Sequence, residues 1–167
     1  MPAAGFQLGF VAAVTLHKSA ANALVLARYG AEALPFLYVG SAVITAALSA
    51  LTAGARARPS SLMLNSLLGA LAAVALALGL WWGASSLALV TYMFAESFAT
   101  YATIRYWGSV SRAFNAQEAK RAFTLLNGTG MVGAIAGGLA AQALARRFGA
   151  SFLLPAGSVL LLMGGLA

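Results

Sequence analysis

Two oppositely charged side chains, Lys18 and Glu96, are the residues of this sequence best suited to chemistry. Only 8% of the 167 residues are charged, and each of these two lies near the middle of a long apolar run. A charge inside a hydrocarbon core costs about 3 kcal/mol on insertion scales, so it persists only where it is paired, hydrated or used. Lys18 and Glu96 are therefore the first candidates for a functional site.

The sequence leaves two interpretations of this pair open. In the first, Lys18 and Glu96 form a direct ion pair that locks the first and fourth apolar segments together. In the second, both line a hydrated central cavity, where they contact a charged solute or exchange protons. Lys18 is about ten residues, or ~15 Å, from either end of its segment, so its side chain cannot reach the membrane surface.

Three further polar residues can join the pair. Asn22 follows Lys18 by one helical turn, and Thr100 follows Glu96 by one turn, so each shares a helix face with a charged residue. Asn127, in the fifth apolar segment, is polar enough to line a cavity. The predicted substrate-binding residues are Lys18, Asn22, Glu96, Thr100 and Asn127.

The composition predicts the elements that must position these side chains. The chain is 62% hydrophobic, against ~45–50% in soluble domains, so it is predicted to be an integral membrane protein. Apolar runs of this length without strict alternation favour helices over barrel strands. The expected fold is an all-α polytopic membrane protein with six transmembrane helices, spanning about 6–28, 34–54, 62–83, 86–107, 122–145 and 150–167.

Short sequence signals predict where these helices end. Tyr29-Gly30 before Pro35 separates the first helix from the second, and Trp81-Trp82-Gly83 closes the third with indoles suited to a membrane interface. Ser60 or Ser61 is the expected N-cap of the third helix. Phe148-Gly149, after two arginines, ends the fifth.

Two other segments have a structural interpretation. Residues 112–121 mix both charge signs with apolar residues, which is typical of a short amphipathic helix at the membrane surface, although a solvated connector fits equally well. The fifth helix carries Gly133 and Gly137, a small-xxx-small face that lets another helix backbone approach closely. We expect this face to serve packing.

The basic residues predict the orientation. Arg56, Arg58, Arg112, Lys120 and Arg121 lie on one side, with Arg105 at its edge, while Arg28, Arg146 and Arg147 lie on the other. The positive-inside rule then places the N-terminus in the cytoplasm and the protein in the cell (inner) membrane.

Several functions lack the residues they require. The sequence has no cysteine, no aspartate and one histidine, so we expect neither a metal centre nor a bound cofactor. It contains no P-loop, no zinc-protease motif and no nucleophile elbow, so we expect no enzymatic activity. The net charge of +7 is spread singly or in pairs, which argues against a nucleic-acid partner. His17 is interpreted as hydrogen-bonded packing.

Three stretches, taken in order, resemble the ATP/ADP translocase family, the nucleotide exchangers of plastids and intracellular bacteria. They are ALVL at 23–26 leading into GAEALPFL at 30–37, YMFAE at 92–96, and EAKRAFTLLNG at 118–128 before a glycine-rich helix. The resemblance implies a major-facilitator-like fold of twelve helices in two halves, with the solute site between them. The chain ends within an apolar run and is interpreted as the N-terminal half, truncated at its C-terminus.

The resemblance also implies roles for individual residues. Glu96 matches the acidic position of the family's fourth helix, and Lys18 matches a basic position in its first helix. Ala21 and Asn22 stand where the family has a Lys-Asp pair. Losing that lysine favours a diverged relative that carries a smaller anionic solute.

These observations predict the N-terminal half of a secondary transporter that moves a small anionic solute by alternating access, with nucleotide exchange as the specific candidate. Its expected partners are the lipid bilayer, the solute and a missing C-terminal six-helix half. The alternative is a non-transporting membrane anchor or signalling scaffold with a transporter-like fold, in which Lys18 and Glu96 are only a structural pair.

Overall fold

A computed structural model describes residues 2–52, 59–83 and 86–166, and this part of the chain is helical without β-strands. Its α-helices are α1 (Pro2–Tyr29), α2 (Leu34–Thr52), α3 (Pro59–Trp81), α4 (Leu87–Ala113), α5 (Ala116–Phe148) and α6 (Leu153–Leu166). Short 3-10 helices at Ala31–Ala33 and Ala150–Phe152 lead into α2 and α6. The all-α prediction is confirmed.

Four helices are long and apolar enough to cross a membrane by length and composition. These candidate spans are Ala4–Tyr29, Ala31–Thr52, Leu87–Ala113 and Gln117–Phe148. The third and sixth predicted spans correspond to shorter apolar helices within the described residues, at Asn65–Trp81 and Ala150–Met163. The structure therefore supports a membrane-embedded protein, and six spans remain a prediction.

Helix α1 lies at the centre of the bundle, against α4, α5 and α6. Its small residues Ala13, Ala20 and Ala21 are almost completely buried. Because alanine side chains are short, neighbouring helices can approach α1 from several sides at once. The central position of α1 holds Lys18 within reach of the surrounding helices.

The packing of the helices has an internal symmetry. The extensive contacts among the described residues are α1 with α5, α1 with α6, α1 with α4, α2 with α4, α3 with α4, and α3 with α6. Exchanging the first three helices for the last three leaves this set of contacts unchanged. In this exchange α1 corresponds to α4, so Lys18 and Glu96 lie on equivalent helices.

The predicted helix ends at Gly30 and Gly149 are confirmed. Both residues have a positive φ, of 71° and 86°, which glycine adopts without steric cost. The Gly149 N–H also donates to the Ala145 carbonyl at 3.0 Å and so satisfies one orphan group at the end of α5. The end of α3 at Trp81 agrees with the prediction as well.

The prediction of a separate amphipathic helix at residues 112–121 is wrong, because α4 continues to Ala113 and α5 begins at Ala116. Asn115 accepts hydrogen bonds from the Gln117 and Glu118 N–H groups at 3.2 and 2.9 Å, and this capping box starts α5.

Neither Ser60 nor Ser61 is the N-cap of the third helix. Helix α3 already begins at Pro59, whose fixed φ suits the first helical position. The predicted basic residues Arg56 and Arg58 lie outside the described residues.

The predicted packing role of Gly133 and Gly137 is confirmed. A Cβ atom at Gly133 would collide with the Leu8 carbonyl oxygen, and one at Gly137 would lie 2.7 Å from the Ala12 carbonyl oxygen. Both contacts are with the backbone of α1, which cannot rotate away as a side chain can. The glycines therefore set the short distance between α1 and α5.

We predict that Gly137→Ala destabilises the bundle by about 1–3 kcal/mol, because the added methyl group must push α1 and α5 apart. The adjacent Gly138→Ala is the matched control, since a Cβ there meets no atom within 4 Å. Reversible SDS unfolding in mixed micelles measures both variants. Equal stability of the two variants would contradict the contact.

Candidate functional site

Lys18 and Glu96 meet directly. The Lys18 Nζ atom is 2.9 Å from Glu96 Oε2, and the two side chains are 39% and 12% exposed. The structure thus forms the predicted ion pair between α1 and α4, yet it does not seal Lys18 inside the protein. The geometry confirms the direct pair of the first interpretation, and the hydrated cavity of the second stays a prediction.

The pair lies deep along both helices. Helices α1 and α4 are antiparallel, because the aromatic rings of Phe6 and Phe10 near the start of α1 stack on Tyr106 near the end of α4. Lys18 is about eleven residues from the end of α1, and Glu96 is about nine residues from the start of α4. Both distances correspond to roughly 15 Å, so the charges lie within the apolar spans.

A tightly packed layer from three helices lies beside the pair. Tyr92 of α4 is completely buried among Ala21 and Val25 of α1 and Leu37 of α2. The ring of Tyr38 on α2 meets Tyr92 edge-on, with 5.8 Å between ring centroids. Because Tyr92 precedes Glu96 by one turn, this layer supports the α4 face that carries the carboxylate.

The other predicted substrate-binding residues divide into two groups. Asn22 is half-buried one turn from Lys18, and Thr100 is exposed one turn from Glu96. The Thr100 hydroxyl donates to the Glu96 carbonyl oxygen at 3.0 Å, so it binds the backbone of the site. Asn22 and Thr100 therefore border the ion pair.

Asn127 lies elsewhere. It is exposed on α5, next to Leu126, which packs near the start of α1 against Phe6. That level is about 15–20 Å along α1 from Lys18. The structure does not bring Asn127 to the ion pair.

His17 fixes the side of α1 that faces α6. Its Nδ1 is 3.0 Å from the Ala13 carbonyl oxygen, which can only accept, and its Nε2 is 3.4 Å from the Ser158 hydroxyl of α6. A Cβ atom at Gly157 would lie 2.8 Å from the imidazole, so this glycine makes room for the ring. The interpretation of His17 as hydrogen-bonded packing is confirmed, and the contact sets the rotation of α1.

Sequence reasoning missed the two tyrosines of this site. It used Tyr92 only as part of a family motif and did not consider Tyr38. The spacing of four residues between Tyr92 and Glu96 was a usable signal, because it places a hydroxyl on the face of a membrane carboxylate. Tyr38 carried no comparable signal, since its position depends on how α2 packs against α4.

The site can exchange ionic partners. The Lys18 ammonium carries three donors, so its chemistry permits an anion other than the Glu96 carboxylate as a partner. The carboxylate can in turn take a proton or a cation. No cluster of three potential metal ligands occurs among the residues that the structure describes.

Long apolar helices and a charged pair within them define an all-helical, membrane-embedded protein. Comparisons of the chain with protein-family models, curated proteins and solved structures found no match. The resemblance to the ATP/ADP translocases therefore stays a prediction, and any function must be argued from the site itself.

We predict that Lys18→Met destabilises the bundle by roughly 1–3 kcal/mol, between the values for exposed and fully buried pairs, because Glu96 loses its cation. Adding Glu96→Gln should recover most of this loss, since the double variant holds no unpaired charge. SDS unfolding of the two single variants and the double variant measures the coupling. Additive losses would show that the pair contributes nothing.

Proposed function

We propose that this chain is a six-helix half of a secondary transporter and that Lys18 binds the negative charge of its solute. The observation that carries the proposal is a half-exposed lysine side chain whose ammonium lies 2.9 Å from a carboxylate, with both residues inside long apolar helices. Intramembrane ionisable residues that face an accessible space are typical of solute and ion pathways.

The energetics of ion pairs favour an active role over a static one. Replacing a buried pair with apolar residues of similar volume is often neutral or stabilising, so a pair is a poor way to strengthen a bundle. The Lys18 side chain is also 39% exposed, so the bundle does not enclose the pair completely. The pair therefore fits a site in which Lys18 and Glu96 separate during function.

A transport cycle follows from partner exchange. In the empty state Lys18 and Glu96 neutralise each other, which permits the pair to remain inside the membrane. An arriving anion takes Lys18, and its departure restores the pair and prepares the site for the next solute. Rocking of one half of the transporter against the other exposes this fixed site to each side of the membrane in turn.

The symmetry of the helix contacts supports a transporter architecture. Three-helix units that exchange without altering the packing pattern are expected of inverted repeats, because three crossings reverse the direction of the chain. Helices α2 and α5 correspond in this exchange, and both expose large apolar side chains such as Val43 and Ile135. These faces suit lipid and a second six-helix half.

The proposed solute is a small anion, with a nucleotide as the specific candidate. The nucleotide follows only from the resemblance, and the Ala21-Asn22 departure favours a smaller phosphorylated compound. Among the described basic residues, Arg112, Lys120 and Arg121 lie at the end where α1 begins, and Arg28, Arg146 and Arg147 lie where α1 ends. A cytoplasmic N-terminus in the cell membrane is therefore proposed from the sequence, in which Arg56 and Arg58 add to the first group.

A scaffold or anchor without transport is the second candidate. The directness of the Lys18–Glu96 contact favours it, because a bond of 2.9 Å can hold α1 against α4 with no solute involved. Swapping the charges distinguishes the two candidates. A swapped pair keeps the ionic bond but places the cation on α4, where Glu96 now lies.

We predict that Lys18→Gln and Glu96→Gln each reduce uptake at least tenfold in liposomes containing the full-length protein. Lys18→Gln removes the charge that binds the anion, and Glu96→Gln removes the group that releases it. The assay uses radiolabelled ATP, ADP and smaller phosphorylated metabolites, with exposed Lys120→Gln as the charge-matched control. The combined Lys18→Glu and Glu96→Lys variant should fold and fail to transport.

Two results would contradict the proposal. Uptake unchanged by both single substitutions would remove the ion pair from the transport path. Uptake fully restored by the charge swap would show that only the bond between α1 and α4 matters and that Lys18 does not bind the solute.

A further inference from the structure

The hydroxyl of Tyr92 is an unusual group beside the ion pair. Tyr92 is 0% exposed, and its hydroxyl has no hydrogen-bond partner of acceptable geometry among the described residues. Buried tyrosine hydroxyls normally find a partner, because leaving one unpaired forfeits its hydration. An alternative state of the protein can supply the missing partner.

The surroundings of Tyr92 narrow the choice of partner. Apolar side chains of α1 and α2 cover the ring, including Ala21, Val25 and Leu37. Two polar groups interact with the hydroxyl: the Tyr38 hydroxyl, which has the larger effect although it does not meet the geometry of a hydrogen bond, and the Glu96 carboxylate, which acts through its charge alone. Glu96 is the stronger acceptor of the two, since a charged acceptor forms hydrogen bonds about twice as strong as a neutral one.

Glu96 needs a second partner whenever Lys18 leaves it. A carboxylate within an apolar span is strongly unfavourable without a counter-charge or hydrogen-bond donors. The Thr100 hydroxyl cannot serve, because it already donates to the Glu96 backbone carbonyl. Ser97 cannot serve either, since its hydroxyl donates to the Ser41 carbonyl oxygen at 3.2 Å.

We propose that Tyr92 is the reserve hydrogen-bond donor to Glu96 and binds the carboxylate when Lys18 turns away. The helix geometry permits this change, because a glutamate side chain leans toward the preceding turn, where Tyr92 lies four residues earlier. A rotamer change at Glu96 brings the groups together without moving the backbone. Tyr92 is thus a positioning residue, and its part in transport rests on the proposed function.

The donor exchange itself can be tested without any solute. Lys18→Met removes the cation permanently and imitates the state in which Lys18 has left Glu96. In the wild-type background, Tyr92→Phe removes only an unpartnered hydroxyl, so the melting temperature should stay the same or rise. In the Lys18→Met background, Tyr92→Phe should lower it by roughly 3–10 °C, because the hydrogen bond to Glu96 is lost.

The measurement is thermal unfolding of the full chain in lipid nanodiscs. Tyr101→Phe is the matched control, since Tyr101 lies on α4 but borders an apolar groove between α2 and α4. It should shift the melting temperature equally in both backgrounds. An equal effect of Tyr92→Phe in both backgrounds would overturn the proposal.

Infrared spectroscopy supplies a readout that a merely structural tyrosine would not change. In Lys18→Met, a hydrogen bond from Tyr92 should lower the carboxyl stretching frequency of Glu96, and Glu96→Gln should abolish that band. Adding Tyr92→Phe should move the band to the higher frequency of a carboxyl group without a donor. A Glu96 band at the same frequency with and without Tyr92→Phe would overturn the proposal.

A transport measurement separates this inference from the proposed function. In liposomes, Tyr92→Phe should raise the KM for the transported phosphorylated compound about tenfold or more, because solute binding leaves Glu96 without a donor. If wild-type protein moves no solute, the proposed function fails, and the unfolding cycle still decides the role of Tyr92. If uptake depends on Lys18 while Tyr92→Phe changes neither KM nor the cycle, only the present inference fails.

Discussion

The mutual neutralisation of Lys18 and Glu96 is the constraint on which the arrangement of α1 and α4 depends. Each charge would be strongly unfavourable alone inside an apolar span, whereas the pair at 2.9 Å is tolerated. The two helices therefore cannot rotate or slide independently. The antiparallel packing of α1 and α4 has this same register, and so do the aromatic contacts between the start of α1 and the end of α4.

The other contacts of α1 are consistent with this register between α1 and α4. Gly133 and Gly137 bring α5 against the α1 backbone, while His17 and Ser158 fix the side that faces α6. Both contacts use small residues or a single hydrogen-bonded ring and leave no space for a different rotation of α1. The remaining face of α1 is the one that carries Lys18, so the bundle directs this cation toward α4.

The sequence was informative where a residue had few physical options. Two opposite charges in apolar runs could be expected to pair, and glycine at a positive φ could be expected to end a helix, as Gly149 does. The position of Asn127 relative to Lys18 could not be predicted, because the register between α5 and α1 depends on which faces meet. The symmetry of the helix packing could not be predicted for the same reason. Helices that are apolar nearly all round carry no sequence signal that identifies the helices they pack against.

The unequal exposure of the two charges determines which of them can move. Lys18 has a long flexible side chain that is 39% exposed, whereas Glu96 is shorter, 12% exposed, and supported by the buried layer around Tyr92. Lys18 can turn away from Glu96 through rotations of its own side chain, whereas moving the α4 backbone at Glu96 would require that layer to open. In the proposed transport cycle, Lys18 is therefore the residue that changes its partner. The α4 backbone at Glu96 stays in place, so the carboxylate needs a donor that its own side chain can reach, as proposed for Tyr92.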